Sequence, residues 1–196
     1  MKTVLNRIKN ILIHPKDEWL AIKDDPLTHW EIFKYAAILS AIPPVAAMAG
    51  RILFERNIPD SALSSSFGSL MLTNMIWYGM YVVNVVIAGM IIAAVLTLAD
   101  SRWNGLRGFT IAAYSFTPLS LAGCFGVVPY LGWMIYPAIL YGIYLIYLGI
   151  TLLAGIPKQK AVWFALSSFS AAAVIVGVMN LFEYVLESFL VGKVFS

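Results

Sequence analysis

The stretch GCFGVVPYLG, residues 123–132, lies inside an apolar run that extends from Phe109 to Leu153. That run is too long for one membrane span, which needs about 20 residues at 1.5 Å each. Glycine and proline favour turns, and a turn at the bilayer surface can be solvated. The stretch therefore predicts a turn over residues 127–132 that joins two spans into a helical hairpin.

Pro118 and Pro137 fall inside the two spans of this hairpin. A proline inside a helix frees a backbone carbonyl and bends the helix. Ser115, Thr117 or a neighbouring helix can satisfy the freed group. We therefore expect a kink in each arm of the hairpin.

The composition of the whole chain agrees with a membrane protein. Of the 196 residues, 61% are hydrophobic and 12% are charged, whereas soluble domains carry about 25% charged residues. The sequence predicts an all-α, polytopic membrane protein with five transmembrane helices and an N-terminal amphipathic cytoplasmic segment. The expected spans within the domain 33–196 are residues 33–54, 70–99, 109–127, 130–153 and 161–183.

The basic residues indicate the orientation of the chain. If the N-terminus is in the cytoplasm, ten of the 13 lysines and arginines lie on the cytoplasmic side of the membrane. Three lie on the outer side: Arg51, Arg56 and Lys193. The positive-inside rule then predicts an inner N-terminus and an outer C-terminus. No cleavage site follows the start of the chain, so we expect the first span to act as its own insertion signal.

Residues 1–32 form the amphipathic cytoplasmic region. One face of its first helix is apolar, with Val4, Leu5, Ile8, Ile11 and Leu12. Such a helix either lies in the membrane interface or packs on the protein's own cytoplasmic surface, and both interpretations stay open. In the first interpretation the side chains that meet anionic headgroups and acyl chains are Lys2, Arg7, Ile8, Lys9, Ile11 and Leu12.

The span interiors carry essentially no charge, which argues against a proton or ion pathway. Asn84 lies midway along the second span, either as an interhelical hydrogen-bond partner or in a polar cavity. Tyr141, Tyr144 and Tyr147 form a stripe along the fourth span, which suits helix packing or a lipid or substrate groove. A possible intramembrane site comprises Asn84, Tyr114, Pro118, Tyr144 and Tyr147.

Other features favour ordinary structural roles. Arg51 and Glu55 are four residues apart at the end of the first span, and we expect them to form an ion pair. Glu183 and Glu187 have the same spacing beyond the fifth span, where we expect a solvated helix end. Cys124 is the single cysteine, and His14 and His29 are isolated, so no metal site is expected. The sequence shows no nucleophile with a base and no phosphate-binding loop, which predicts a protein without enzymatic activity, cofactor or nucleic-acid partner.

Three stretches together carry a resemblance to a known family. They are His14-Pro15 with Glu18-Trp19 and Ile22-Lys23, then Tyr114 with Thr117-Pro118-Leu119, then residues 144–150, YLIYLGI. With five spans, the chain resembles the Yip family of Ypt/Rab-interacting membrane proteins, and in particular its small bacterial inner-membrane branch.

The resemblance implies a compact five-helix membrane domain in the inner membrane, with a cytoplasmic N-terminal region. Eukaryotic members of the family are associated with vesicle trafficking and with prenylated Rab-type GTPases. This chain departs from them, because Asp25-Pro26-Leu27-Thr28 stands where that branch has Asp-Leu-Tyr-Gly-Pro, and Ala113-Tyr114 replaces a Gly-Tyr pair.

Two functional hypotheses follow. The first is a non-enzymatic membrane protein that organises the bilayer or scaffolds partners, through the basic amphipathic N-terminus and helix faces of small residues that also allow a homo-oligomer. The alternative is a small transporter, channel or lipid-moving protein with a site between kinked helices.

Overall fold

The computed structural model describes residues 4–24, 28–55, 67–100 and 105–194, which are helical apart from short connections and contain no strand. The helices follow one another as α1 Val4–Ile13, α2 Pro15–Asp24, α3 His29–Ser40, α4 Ile42–Gly50, α5 Phe67–Asp100, α6 Gly105–Ser115, α7 Thr117–Ala122, α8 Ile135–Leu152 and α9 Lys158–Val194. A π-helical turn, Arg51–Glu55, extends α4, and two 3₁₀ turns, Gly123–Val127 and Pro129–Met134, lie between α7 and α8.

Five stretches of the described chain are long and apolar enough to cross a membrane. They are His29–Phe54, Leu70–Leu98, Gly105–Val127, Tyr130–Leu152 and Lys158–Phe182. The predicted fold class, an all-α polytopic membrane protein with five spans, is therefore confirmed. The first span begins four residues before the expected position, because Thr28 and Glu31 form a capping box at the start of α3.

The hairpin between the third and fourth spans turns within the predicted stretch. Val128 is extended, with φ −107° and ψ 115°, between the two 3₁₀ turns. Pro118 lies in the first turn of α7, after a break in the helix at Phe116. The expected kink at Pro137 is corrected, because Pro137 lies in the first turn of α8, where proline removes no helical hydrogen bond.

The second and third spans cross at small residues. A Cβ atom on Gly108 would lie 2.4 Å from the Gly89 carbonyl oxygen and 2.7 Å from the Ala93 Cβ. Glycine at both positions lets the two backbones approach closely. Gly89 and Ala93 therefore pack against α6 of the same chain.

Candidate functional site

The N-terminal segment folds into a helical hairpin, α1–α2, whose two arms are joined by a buried ion pair. A guanidinium nitrogen of Arg7 lies 3.1 Å from Oε1 of Glu18, and Asn10 Nδ2 donates to Oε2 of Glu18 at 2.9 Å. Glu18 is 1% exposed and Arg7 is 8% exposed. The bonds from Arg7 and Asn10 offset the cost of removing the carboxylate from water.

Aromatic side chains dock this hairpin onto the spans. Trp19 is fully buried and meets the ring of Tyr114 edge-on, with 5.8 Å between ring centroids. Tyr35 stacks on Tyr114 at 4.5 Å, and the Tyr35 hydroxyl shares a hydrogen bond of 2.7 Å with Thr117 Oγ1. We call Arg7, Glu18, Trp19, Tyr35 and Tyr114 the docking cluster.

The hairpin lies alongside α8 and does not form a separate domain. A Cβ atom on Gly149 would lie 3.1 Å from Cζ2 of Trp19, so the indole fits against the bare glycine. The Tyr141 hydroxyl donates to the Leu12 carbonyl at 2.8 Å. These two contact points, Tyr141 and Gly149, lie about 12 Å apart along α8 at 1.5 Å per residue, so the hairpin follows more than two turns of that helix.

This docking corrects the assignment of Arg7 and Ile11 to the lipid surface. Arg7 pairs with Glu18, and Ile11 is fully buried. Ile8 and Leu12 pack half-buried against the core. Of the six residues, Lys9 is exposed and Lys2 lies outside the described residues. Of the two interpretations of the amphipathic helix, the structure favours packing on the protein.

The outward side of the hairpin mixes apolar and basic residues. Leu5 and Ile13 are 75% and 57% exposed on α1, and Leu20 is 45% exposed on α2. Residues four apart share one helical face, so a mixed stripe runs along each arm. We call these exposed residues the outer stripe of the hairpin: Leu5, Lys9, Ile13, Lys16, Leu20 and Lys23.

A second candidate region lies between the spans. A cavity of about 270 Å³ is bounded by α5, the α6–α7 junction, α8 and α9. It adjoins a cavity of about 440 Å³ nearer Trp77 and Tyr184. The two share four lining residues: Phe116, Leu119, Val176 and Asn180.

The residues of the predicted intramembrane site separate in the structure. Asn84 lines the larger cavity, whereas Tyr114 belongs to the docking cluster. Pro118 is buried between Thr117 and Leu119, and Leu119 reaches both cavities. Tyr144 is 39% exposed and Tyr147 packs against the core, outside both linings. The tyrosine stripe therefore divides between the hairpin, the surface and the core.

Several other expectations concern side chains at the ends of spans. Arg51 lies over the ring of Trp77 at 4.9 Å. The side chains of Glu55, Glu183 and Glu187 lie outside the described residues, so the expected ion pair and solvated end stay predictions. Within the described chain, no three His, Cys, Asp or Glu side chains come together as a metal site would require.

The sequence interpretation missed four interior residues. Glu18, Trp19 and Tyr35 belong to the docking cluster, and Ser168 lines the smaller cavity. Ser115 was expected to bond a carbonyl freed by proline, but its hydroxyl lines the same cavity without a hydrogen-bond partner in the described chain. One signal was readable, because Arg7 lies four residues before Ile11 and so beside the apolar face of α1. The partner of Arg7 is eleven residues away on another helix, and no periodicity within α1 identifies it.

The helices and the uncharged span interiors define a polytopic α-helical integral membrane protein. The chain belongs to the Yip1 domain family, whose model matches residues 9–179. It is 26% identical over 185 residues to inner membrane protein YohC of Escherichia coli K12, covering 90% of this chain and 91% of that protein. YohC of Escherichia coli O6:H1 matches equally well, and no solved structure matches. The resemblance found in the sequence is therefore confirmed.

The motifs that carry the resemblance meet at the docking cluster. Glu18 and Trp19 come from α2, Tyr114 and Thr117 from the third span, and Gly149 from the fourth. These stretches are distant in sequence but form one contact between the hairpin and the spans.

Proposed function

We propose that this protein is a non-enzymatic membrane protein that organises the lipid around it through the outer stripe of its N-terminal hairpin. The observation that carries the proposal is the fixed position of the hairpin. The buried Arg7–Glu18 pair joins its two arms, and the Tyr141 hydroxyl bond to the Leu12 carbonyl holds it beside α8. The apolar members of the stripe suit acyl chains, while the lysines extend their stems toward headgroups. A fixed amphipathic surface of this kind selects lipids without any chemical step.

The proposed lipids are anionic ones of the cytoplasmic leaflet. Lys9, Lys16 and Lys23 exceed the two exposed acids of the hairpin, Asp17 and Asp24. Each lysine near an anionic surface contributes about 1 kcal/mol of attraction. The inner membrane location that the Escherichia coli relatives' names state, together with an inner N-terminus, would place the stripe at that leaflet.

The experiment compares spin-labelled phosphatidylglycerol with spin-labelled phosphatidylcholine around the full-length protein in nanodiscs. We expect the wild type to favour phosphatidylglycerol, and the triple variant Lys9→Gln, Lys16→Gln, Lys23→Gln to lower the selectivity toward parity. The matched triple change to arginine keeps the charge and should keep the selectivity. Equal selectivity in the wild type and the glutamine variant would contradict the proposal.

A second candidate function is lipid movement across the bilayer, and the cavity between the spans favours it. The chain breaks at Phe116, directly at the wall of both cavities. Discontinuous helices at mid-membrane frame the sites of many transporters. Proteoliposomes that contain a fluorescent lipid and a membrane-impermeant quencher test this function, and scrambling no faster than in empty vesicles would eliminate it.

A homo-oligomer is a further part of the proposal. The membrane-spanning part of α9 has 11% of its residues buried, far fewer than the other spans. Its face with Ser167 and Ala171 is small enough for close helix approach. The mass of the protein released from nanodiscs measures the subunit count, and a monomer at all protein concentrations would contradict this expectation.

A further inference from the structure

Two serine hydroxyls line the smaller cavity without a hydrogen-bond partner in the described chain. Ser115 is 3% exposed and Ser168 is fully buried. By contrast, the Thr110 hydroxyl donates to the Leu106 carbonyl of its own helix at 2.7 Å, and the Thr151 hydroxyl donates to the Tyr147 carbonyl at 2.8 Å. A buried hydroxyl without a partner is costly in a membrane, so these two point to a ligand with polar atoms.

The rest of the lining excludes a charged ligand head. Every side chain around both cavities is uncharged, and most are apolar. An ion moved there would lose its hydration with no counter-charge to replace it. Asn84 Oδ1 is also buried without a partner in the neighbouring cavity. That oxygen only accepts, so the ligand must donate a hydrogen bond as well as accept them.

The cavity opens sideways toward lipid. Ala173, Gly177 and Asn180 line it from α9 and are exposed. A Cβ atom on Gly177 would meet nothing within 4 Å. A molecule dissolved in the bilayer can therefore enter between α9 and the other spans without first crossing water.

We propose that this cavity binds a neutral glycerolipid of the diacylglycerol class. Its chains match the apolar walls, its ester carbonyls accept from Ser115 and Ser168, and its free hydroxyl donates to Asn84. The two adjoining volumes together fall within the roughly 300–1,000 Å³ of small-molecule sites. The site does not depend on the lipid selectivity of the hairpin, because the outer stripe and the cavity share no residue.

The test uses a photoreactive diacylglycerol and the full-length protein in phosphatidylcholine nanodiscs. We expect labelling of α8 or α9 that dioleoylglycerol competes away. The double change Ser115→Ala, Ser168→Ala should weaken competition about tenfold, since each membrane hydrogen bond accounts for a few-fold in affinity. Ser120→Ala is the matched control, because Ser120 is buried in the third span, as Ser115 is, but lines neither cavity.

A second pair of variants changes the volume of the cavity. Gly177→Leu fills the cavity and should abolish labelling. Gly79→Leu is the control, because a Cβ atom on Gly79 likewise meets nothing within 4 Å but Gly79 lines neither cavity, so labelling should stay unchanged. Wild-type labelling of Gly177→Leu would overturn the proposal. So would equal labelling by a photoreactive phosphatidylglycerol with the same chains, or a crosslink to α9 of a second copy in place of the lipid.

Discussion

At the residue scale, Arg7 and Glu18 do more for position than for net stability. A buried ion pair loses the hydration free energy of both charges. Mutual attraction and additional hydrogen bonds only offset that loss. Asn10 supplies one such bond to Glu18. The pair also fixes which faces of α1 and α2 meet, since an apolar seam alone would tolerate rotation. The outer stripe therefore depends on a pair that contacts no lipid.

Removing one member of the pair tests this role. We expect Arg7→Met to destabilise the protein by about 3–5 kcal/mol, because the buried Glu18 carboxylate then loses the guanidinium that lies 3.1 Å away. The double variant Arg7→Met, Glu18→Met should recover most of that loss. Unfolding in detergent measures both changes. Asp17→Asn is the control on the same helix, because Asp17 is exposed; a loss as large in this control would contradict the interpretation.

The bond between Tyr35 and Thr117 gives a smaller prediction. Tyr35→Phe leaves Thr117 Oγ1 buried without that partner, which we expect to cost about 1–3 kcal/mol of unfolding free energy. Tyr144→Phe removes the same hydroxyl from a tyrosine that is 39% exposed and should change stability by less than about 0.5 kcal/mol. Unfolding curves that coincide for the two variants would refute the difference.

The residues of the sites were only partly predictable from the sequence. The apolar face of α1 was visible, because its period is that of a helix. Whether that face meets lipid or the protein was not visible, because Arg7 counts as polar in any pattern and yet lies inside, where it bonds to Glu18. Asn84 was readable as a buried amide. Ser115 and Ser168 were not distinguishable from other small span residues until α8 and α9 enclosed them.

At the element scale, the prolines and glycines predicted where helices break and turn better than the hydrophobic patterns predicted which faces are buried. The chain turns at Val128, within the predicted turn at residues 127–132, and its helix breaks at Phe116, next to the predicted kink at Pro118. The predicted kink at Pro137 is absent because the residues before it form two 3₁₀ turns, so that α8 begins only at Ile135. A proline three residues into a helix starts it and one in the middle bends it. The sequence leaves that start undetermined.

The crossing of α5 and α6 gives a prediction for whole elements. Gly108→Ala places a Cβ atom against the Gly89 carbonyl, so the helices must separate. We expect a loss of about 1–3 kcal/mol, the usual cost of overpacking. Gly79→Ala is the control on α5, where nothing lies within 4 Å, and should leave stability equal or slightly higher. Unfolding midpoints compare the pair, and no loss in Gly108→Ala would contradict the close crossing.

At the scale of the whole molecule, the number of spans follows from composition, because lipid requires each apolar stretch of about 20 residues to be helical. The arrangement of the spans does not follow from it. The contact of Trp19 with Gly149 and the bond between Leu12 and Tyr141 join segments more than a hundred residues apart. Only the folded chain shows that the N-terminal hairpin belongs to the membrane domain.

The orientation of the molecule can be tested with its own single cysteine. Cys124 is exposed at the turn that ends the third span, and an inner N-terminus places that turn outside. We expect a membrane-impermeant maleimide to label Cys124 in intact cells. The variant Cys124→Ala, Lys9→Cys moves the thiol to the exposed side of α1 and should react only after the cells are opened. Labelling in the opposite order would invert the topology and remove the outer stripe from the cytoplasmic leaflet, so the same experiment also tests the proposed lipid selectivity.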